Sequence, residues 1–141
     1  MIHVSWLDIP AEIDFTSGLS DWIDVVTAYY GKKTGEVFFL FCSDAYLYEM
    51  NLAHLQHNTL TDIITFDTSE NPVFISGELY ISFERVADNT IQFGSDFMDE
   101  LHRVMIHGIL HLIGFKDKSQ KDMQDMRSQE ELCLSLRPGT L

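Results

Sequence analysis

Apolar positions along the chain follow two periods, and the places where the period changes mark out strands and helices. Ile2-His3-Val4-Ser5-Trp6 alternates as a half-buried strand does, whereas Leu19 to Tyr30 has helical spacing, with Gly31 as its stop. Glu36 to Cys42 is a short continuous apolar run, the pattern of a central strand covered on both faces. Ser43, followed by Asp44, caps a helix running to about Leu55. Two further strands are predicted over Asp62 to Phe66 and Gly77 to Phe83, on either side of the turn-rich Asp67-Thr68-Ser69-Glu70-Asn71-Pro72. From residue 84 the pattern is helical: a short helix over 84–92, a long one from the Ser95-Asp96 cap to Ile113 with Gly114 as its stop, and a last one from Ser119 to about Leu134. Ser119-Gln120-Lys121-Asp122 has the form of a capping box. Strands ahead of the main helices predict an α+β fold, a small mixed sheet of about four strands covered by helices, in one domain spanning 1–141. The pattern leaves the strand order open.

Composition adds little except for charge. The 141 residues are 45% hydrophobic and 12% aromatic, as in an ordinary globular chain and unlike a disordered one. No apolar run approaches the ~20 residues of a membrane span, and the N-terminus lacks the basic region of a secretory signal. A cytoplasmic protein without membrane contact is the expectation. Cys42 and Cys133 form no metal or disulfide pattern and read as buried thiols. A formal charge of -13 opposes non-specific binding to nucleic acid, so any such role needs a local patch. Lys116, Lys118, Lys121 and Arg127 provide a local cluster.

The segment that carries chemistry is His107-Gly108-Ile109-Leu110-His111-Leu112-Ile113-Gly114-Phe115-Lys116-Asp117. Histidines four apart stack on one helix face and can share an ion. Gly114 can turn the chain back, which places Asp117 to supply a third ligand. The ligand and glycine spacing is that of metzincin metallopeptidases, and three protein ligands leave a fourth position for water. The glutamate that such peptidases carry after the first histidine is replaced by Gly108. A phosphodiester makes a lighter demand, because a metal can both activate water and neutralise the phosphoryl oxygens.

The same segment, written H-G-x-L-H-L-x-G-[FY]-x-D and followed by a charged helix, resembles the signature of the YbeY family, bacterial endoribonucleases of ribosomal RNA maturation. Asn51 followed by Thr61-Asp62-Ile63-Ile64-Thr65-Phe66, and then Gly77-Glu78-Leu79-Tyr80-Ile81-Ser82, resemble two further blocks of that family in order and spacing. The resemblance covers about residues 36 to 132. It implies a zincin-like fold with the metal site at the end of a long helix. It also implies one Zn2+ per chain on His107, His111 and Asp117, with another divalent transition metal as an alternative. The implied activity is single-strand-specific cleavage in maturation of the 16S rRNA 3' end and in ribosome quality control, with ribosomal RNA and the small ribosomal subunit as partners.

Two departures stand out. Asp117 replaces the family's usual histidine, and Leu55 stands where the family has an arginine. His54, His57 or Arg103 are candidates to replace that cation. Phe38, Phe39, Phe41, Phe66 and Phe83 read as core, the acidic stretch 122–131 as a solvated face, and Thr61 and Asp62 as residues shaping the cleft. Two other functions remain open at this stage: a ribosome-associated assembly factor with a structural metal, and a metallohydrolase of another substrate.

Overall fold

A computed structural model describes residues 1–15, 17–55 and 61–141. Its elements are β1 (Ile2–Trp6), α1 (Leu19–Tyr29), β2 (Lys33–Cys42), α2 (Asp44–Leu55), β3 (Ile63–Asp67), β4 (Phe74–Ser82), α3 (Phe83–Phe93), α4 (Phe97–Ile113) and α5 (Gln120–Ser135). The sheet order is β1-β2-β4-β3, with β2 parallel to both of its neighbours and β3 antiparallel to β4. This is the expected mixed sheet, and β3 forms one edge of it.

Where boundaries differ from the sequence pattern, local hydrogen bonds explain the difference. Strand β4 ends at Ser82 because the Ser82 hydroxyl accepts from the Arg85 backbone N–H and caps α3, so Phe83 opens a helix instead of closing a strand. Asp96, not Ser95, is the cap of α4, its carboxylate accepting from the Asp99 N–H. The box at the start of α5 forms as expected, with Ser119 and Asp122 each taking the other's backbone N–H.

The main core lies on one face of the sheet. Val37, Phe39 and Phe41 of β2 are buried there against Trp22, Ile23 and Val26 of α1 and Met105, Ile106 and Ile109 of α4. Leu47 of α2 covers the other face with Cys42 and Ile64. Phe39 and Phe41 are core as read, while Phe38, Phe66 and Phe83 are only half-buried. On the second face of β2, Phe38 and Leu40 are half-buried and Cys42 is fully buried, so that face is tightly covered only at its Cys42 end.

Helix α4 sits unusually close to the sheet. A Cβ on Gly108 would stand 2.8 Å from Ile63 Cδ1 and 2.9 Å from Leu79 Cδ2. Only hydrogen at that position lets the helix settle against β3 and β4, and this seating brings the next residue on its flank, His107, beside the β3 edge.

Candidate metal centre

His107 and His111 lie one turn apart near the end of α4, their rings 4.6 Å apart at an interplanar angle of 75°. Gly114, with φ 128°, ends the helix in a conformation that side chains resist, and its N–H closes onto Leu110 and His111 carbonyls. The chain then doubles back and delivers Asp117. His107 Nε2 lies 3.0 Å from His111 Nε2, and Asp117 Oδ2 lies 3.4 Å and 3.3 Å from those two nitrogens.

The other nitrogen of each ring fixes its tautomer. His107 Nδ1 is 2.6 Å from Glu130 Oε2, and His111 Nδ1 is 3.0 Å from the Phe115 carbonyl oxygen. Both of those partners only accept, so each Nδ1 carries the proton, and in the neutral imidazole each Nε2 then presents a lone pair. Two lone pairs and a carboxylate oxygen therefore converge within 3.4 Å, an arrangement that repels itself unless a cation lies among them. Tetrahedral bonds of about 2.0–2.1 Å give ligand separations of about 3.3–3.4 Å. The triangle matches that geometry, and this set of three is a group able to hold a metal ion. The same electrostatics act on a proton. Burial pulls the His107 pKa down, but the hydrogen bond and charge of Glu130, backed by Asp117 and Asp62, more than reverse this and raise it.

Glu130 is the residue that the sequence reading missed. The stretch 122–131 was expected to be a solvated face, but Glu130 is buried, with only 6% of the residue exposed. It is held from two sides: His107 takes one carboxylate oxygen, and Arg103 Nη1 donates to the other at 3.2 Å while its second nitrogen donates to Glu131. Arg103 is therefore committed to carboxylates and is not the spare cation considered for the missing arginine. His57 and the side chains of His54 and Leu55 lie outside the described residues.

A cavity of about 650 Å³ opens over the cluster, between the β3 edge and the loop after α4. Thr61 and Asp62 line it, as the sequence reading placed them. Burial raises the Asp62 carboxyl above its ordinary pKa against the lowering charge of His107. Lys118 lines the cavity as well, whereas Lys116 and Lys121 are exposed and do not. Position 108 faces the sheet, so a glutamate there would meet Ile63 and Leu79 rather than act on a substrate beside the ion. The peptidase base is thus excluded by packing as well as by residue type.

Comparison with known proteins agrees with this geometry. The family model described as Endoribonuclease YbeY matches residues 7–136. A protein of Amoebophilus asiaticus named Endoribonuclease YbeY is 42% identical over 127 residues, covering 90% of this chain and 86% of its own length. A Parabacteroides distasonis protein of the same name is 46% identical over 120 residues, covering 85% of this chain and 84% of its own. Among solved structures, the solution structure of TM1509 from Thermotoga maritima superposes with a TM-score of 0.65 at 24% identity, covering 96% of this chain and 88% of that one. At that identity, the last likeness speaks for the fold.

Proposed function

This chain belongs to the endoribonuclease YbeY family, hydrolytic nucleases of ribosomal RNA processing, and we propose that it cuts single-stranded RNA at the His107, His111 and Asp117 cluster with one divalent metal ion, zinc by choice of ligands. The observation that carries the reading is the convergence of three acceptor atoms at 3.0–3.4 Å, with both imidazoles held in the ligating tautomer. A divalent ion held there supplies Lewis acidity toward the phosphodiester. The chain's own residues do the rest. Glu130 and the Phe115 carbonyl keep protons on the two Nδ1 atoms, Asp117 accepts toward the ion, and Lys118 at the cavity mouth meets a phosphate oxygen. The domain acts as one unit over 1–141. Its place of work is 16S rRNA 3'-end maturation and ribosome quality control on the small ribosomal subunit in the cytoplasm. No helix among the described residues is long and apolar enough to cross a membrane, which is compatible with that location.

The test pairs metal analysis with RNA cleavage. Wild-type protein should carry about one transition metal per chain and cut single-stranded RNA, and the His107→Ala/His111→Ala protein should lose both. Full metal stoichiometry in that double variant, or undiminished cleavage by it, would sink the reading. If the double variant still binds the small subunit and supports normal rRNA processing, the metal serves structure and the assembly-factor alternative holds.

A further inference from the structure

The large cavity over the ligands is not closed at His107. It shares Asp62, Ile63 and His107 with a smaller space of about 180 Å³, which in turn shares Glu100, Arg103 and Arg127 with a third of about 370 Å³ bounded by Phe93 and Ser95. Together they form a groove along one stripe of α4, through residues 100, 103, 107 and 111, with α5 as one wall. From residue 111 to residue 100 the helix rises by about 16 Å. The groove runs well past the reacting centre.

Two residues of its outer half are exposed and held by no close side-chain partner among the described residues. Phe93, the last residue of α3, is 69% exposed, and among the described residues it packs on no other ring. Arg127 is exposed and makes no ion pair within 4 Å among the described residues, its charge acting only at longer range on Glu131, whereas Arg103 is committed to Glu130 and Glu131, and Arg137 is committed to Asp99. An exposed aromatic ring beside a guanidinium that no carboxylate holds in hydrogen-bond contact is the pairing with which proteins hold an unpaired base and the phosphate next to it. The carboxylates along the groove fit bases better than backbone. Asp99 and Glu130 are occupied by arginines and Asp62 lies beside His107, while Glu100, which has no ion pair within 4 Å among the described residues, can accept from a base amino group.

We propose that the strand cut at the metal cluster continues along this groove, stacking a base on Phe93 and setting a phosphate against Arg127. This rests on the nuclease reading above and adds a substrate-binding subsite to it. The probes are two single-stranded oligoribonucleotides, one long enough to reach from the cluster to Phe93 and one dinucleotide that cannot. Phe93→Ala should raise KM for the long substrate roughly fivefold or more. It should leave the dinucleotide and metal content unchanged, and Phe93→Trp should restore the long substrate. Arg127→Gln should reduce the slope of log affinity against log salt by about 0.7, as expected for one lost phosphate contact on a single strand. Lys32→Gln, which removes the same charge elsewhere, should not.

Equal effects of Phe93→Ala on long and short substrates, or none on either, would overturn the subsite while leaving the nuclease reading intact. An unchanged salt slope in Arg127→Gln would overturn the phosphate contact. If metal-loaded wild type cuts no single-stranded RNA, the nuclease reading falls and the subsite with it.

Discussion

Glu130→Ala isolates the contact that orients His107, the proposed metal ligand. The substitution removes the 2.6 Å bond to His107 Nδ1 and the 3.2 Å bond to Arg103. Both contacts are sheltered, with side-chain exposures of 7% for Glu130, 16% for Arg103 and 21% for His107. Breaking a buried pair costs about 3–5 kcal/mol when the partner is left stranded. Here Arg103 keeps Glu131, which is 59% exposed, so part of that cost is recovered and roughly 2–3 kcal/mol of stability should be lost. Freed from Glu130, the His107 ring can turn or change tautomer, and loss of such an outer partner typically weakens metal binding about 10- to 100-fold. Glu130→Gln separates the two effects. Its amide oxygen still accepts from Nδ1–H, but its amide nitrogen opposes Arg103, so stability should fall while metal affinity stays within a few-fold of wild type. Chelator competition gives the affinity and urea unfolding of metal-free protein gives the stability. Wild-type metal affinity in a folded Glu130→Ala protein would refute the orienting role. Equal affinity losses in Ala and Gln variants would show that charge, not the hydrogen bond, is what matters.

Four more outcomes are expected. Asp117→Ala should weaken metal binding more than tenfold, and metal titration showing wild-type affinity would remove Asp117 from the ligand set. Burial, with the charge of Arg137 behind it, pushes His102 down to about 4 from 6.5. The unfolded chain therefore takes up this proton first, so stability is intact above about pH 6.5 and drains by roughly 3 kcal/mol as pH falls toward 4. The pH-dependent difference in unfolding free energy between wild type and His102→Phe should show that slope, and a flat difference would contradict it. Gly77→Ala should destabilise by roughly 1–3 kcal/mol in a denaturant melt, because its Cβ would stand 2.7 Å from the Phe66 carbonyl oxygen and 2.7 Å from Leu112 Cδ2. Lys118→Gln should weaken RNA binding while Lys116→Gln and Lys121→Gln do not, and equal losses from all three would mean that the cavity mouth has no special part.

The elements were legible because each one is signalled locally. Alternation in Ile2–Trp6, the box at Ser119 and the glycine stop at 114 need no knowledge of the rest of the chain, and all three appear where the pattern put them. Ligand spacing is local too, which is why His107, His111 and Asp117 could be placed together from eleven residues of sequence. The strand order and Glu130 were not legible, because both depend on partners far away in the chain. A signal for Glu130 did exist. Met126, Glu130, Cys133 and Leu134 form the buried stripe of α5, so an acid lies in phase with an apolar face. A carboxylate in such a position has to be paired, and the nearest candidates on a packed neighbour were an arginine and a histidine one turn apart, Arg103 and His107. Net charge hid that inference by making every acid in 122–131 look like solvation.

The same charge shapes how the protein meets its substrate. At -13 the molecule's net charge repels RNA within about a Debye length of its surface, about 8–10 Å at ordinary ionic strength, and is screened beyond it, so diffusion gains nothing from electrostatic steering. Among the described residues of the proposed groove, the cations that would face a strand are Lys118 and Arg127, with a divalent ion when bound, because Arg103 is already neutralised by two glutamates. So few phosphate contacts give weak affinity and a shallow salt dependence. Discrimination then rests on which strands are brought to the groove and held there. Under the proposed function, an enzyme with so few cations in its groove gains little from bulk RNA and depends on contacts to bases as well as phosphates to hold its strand.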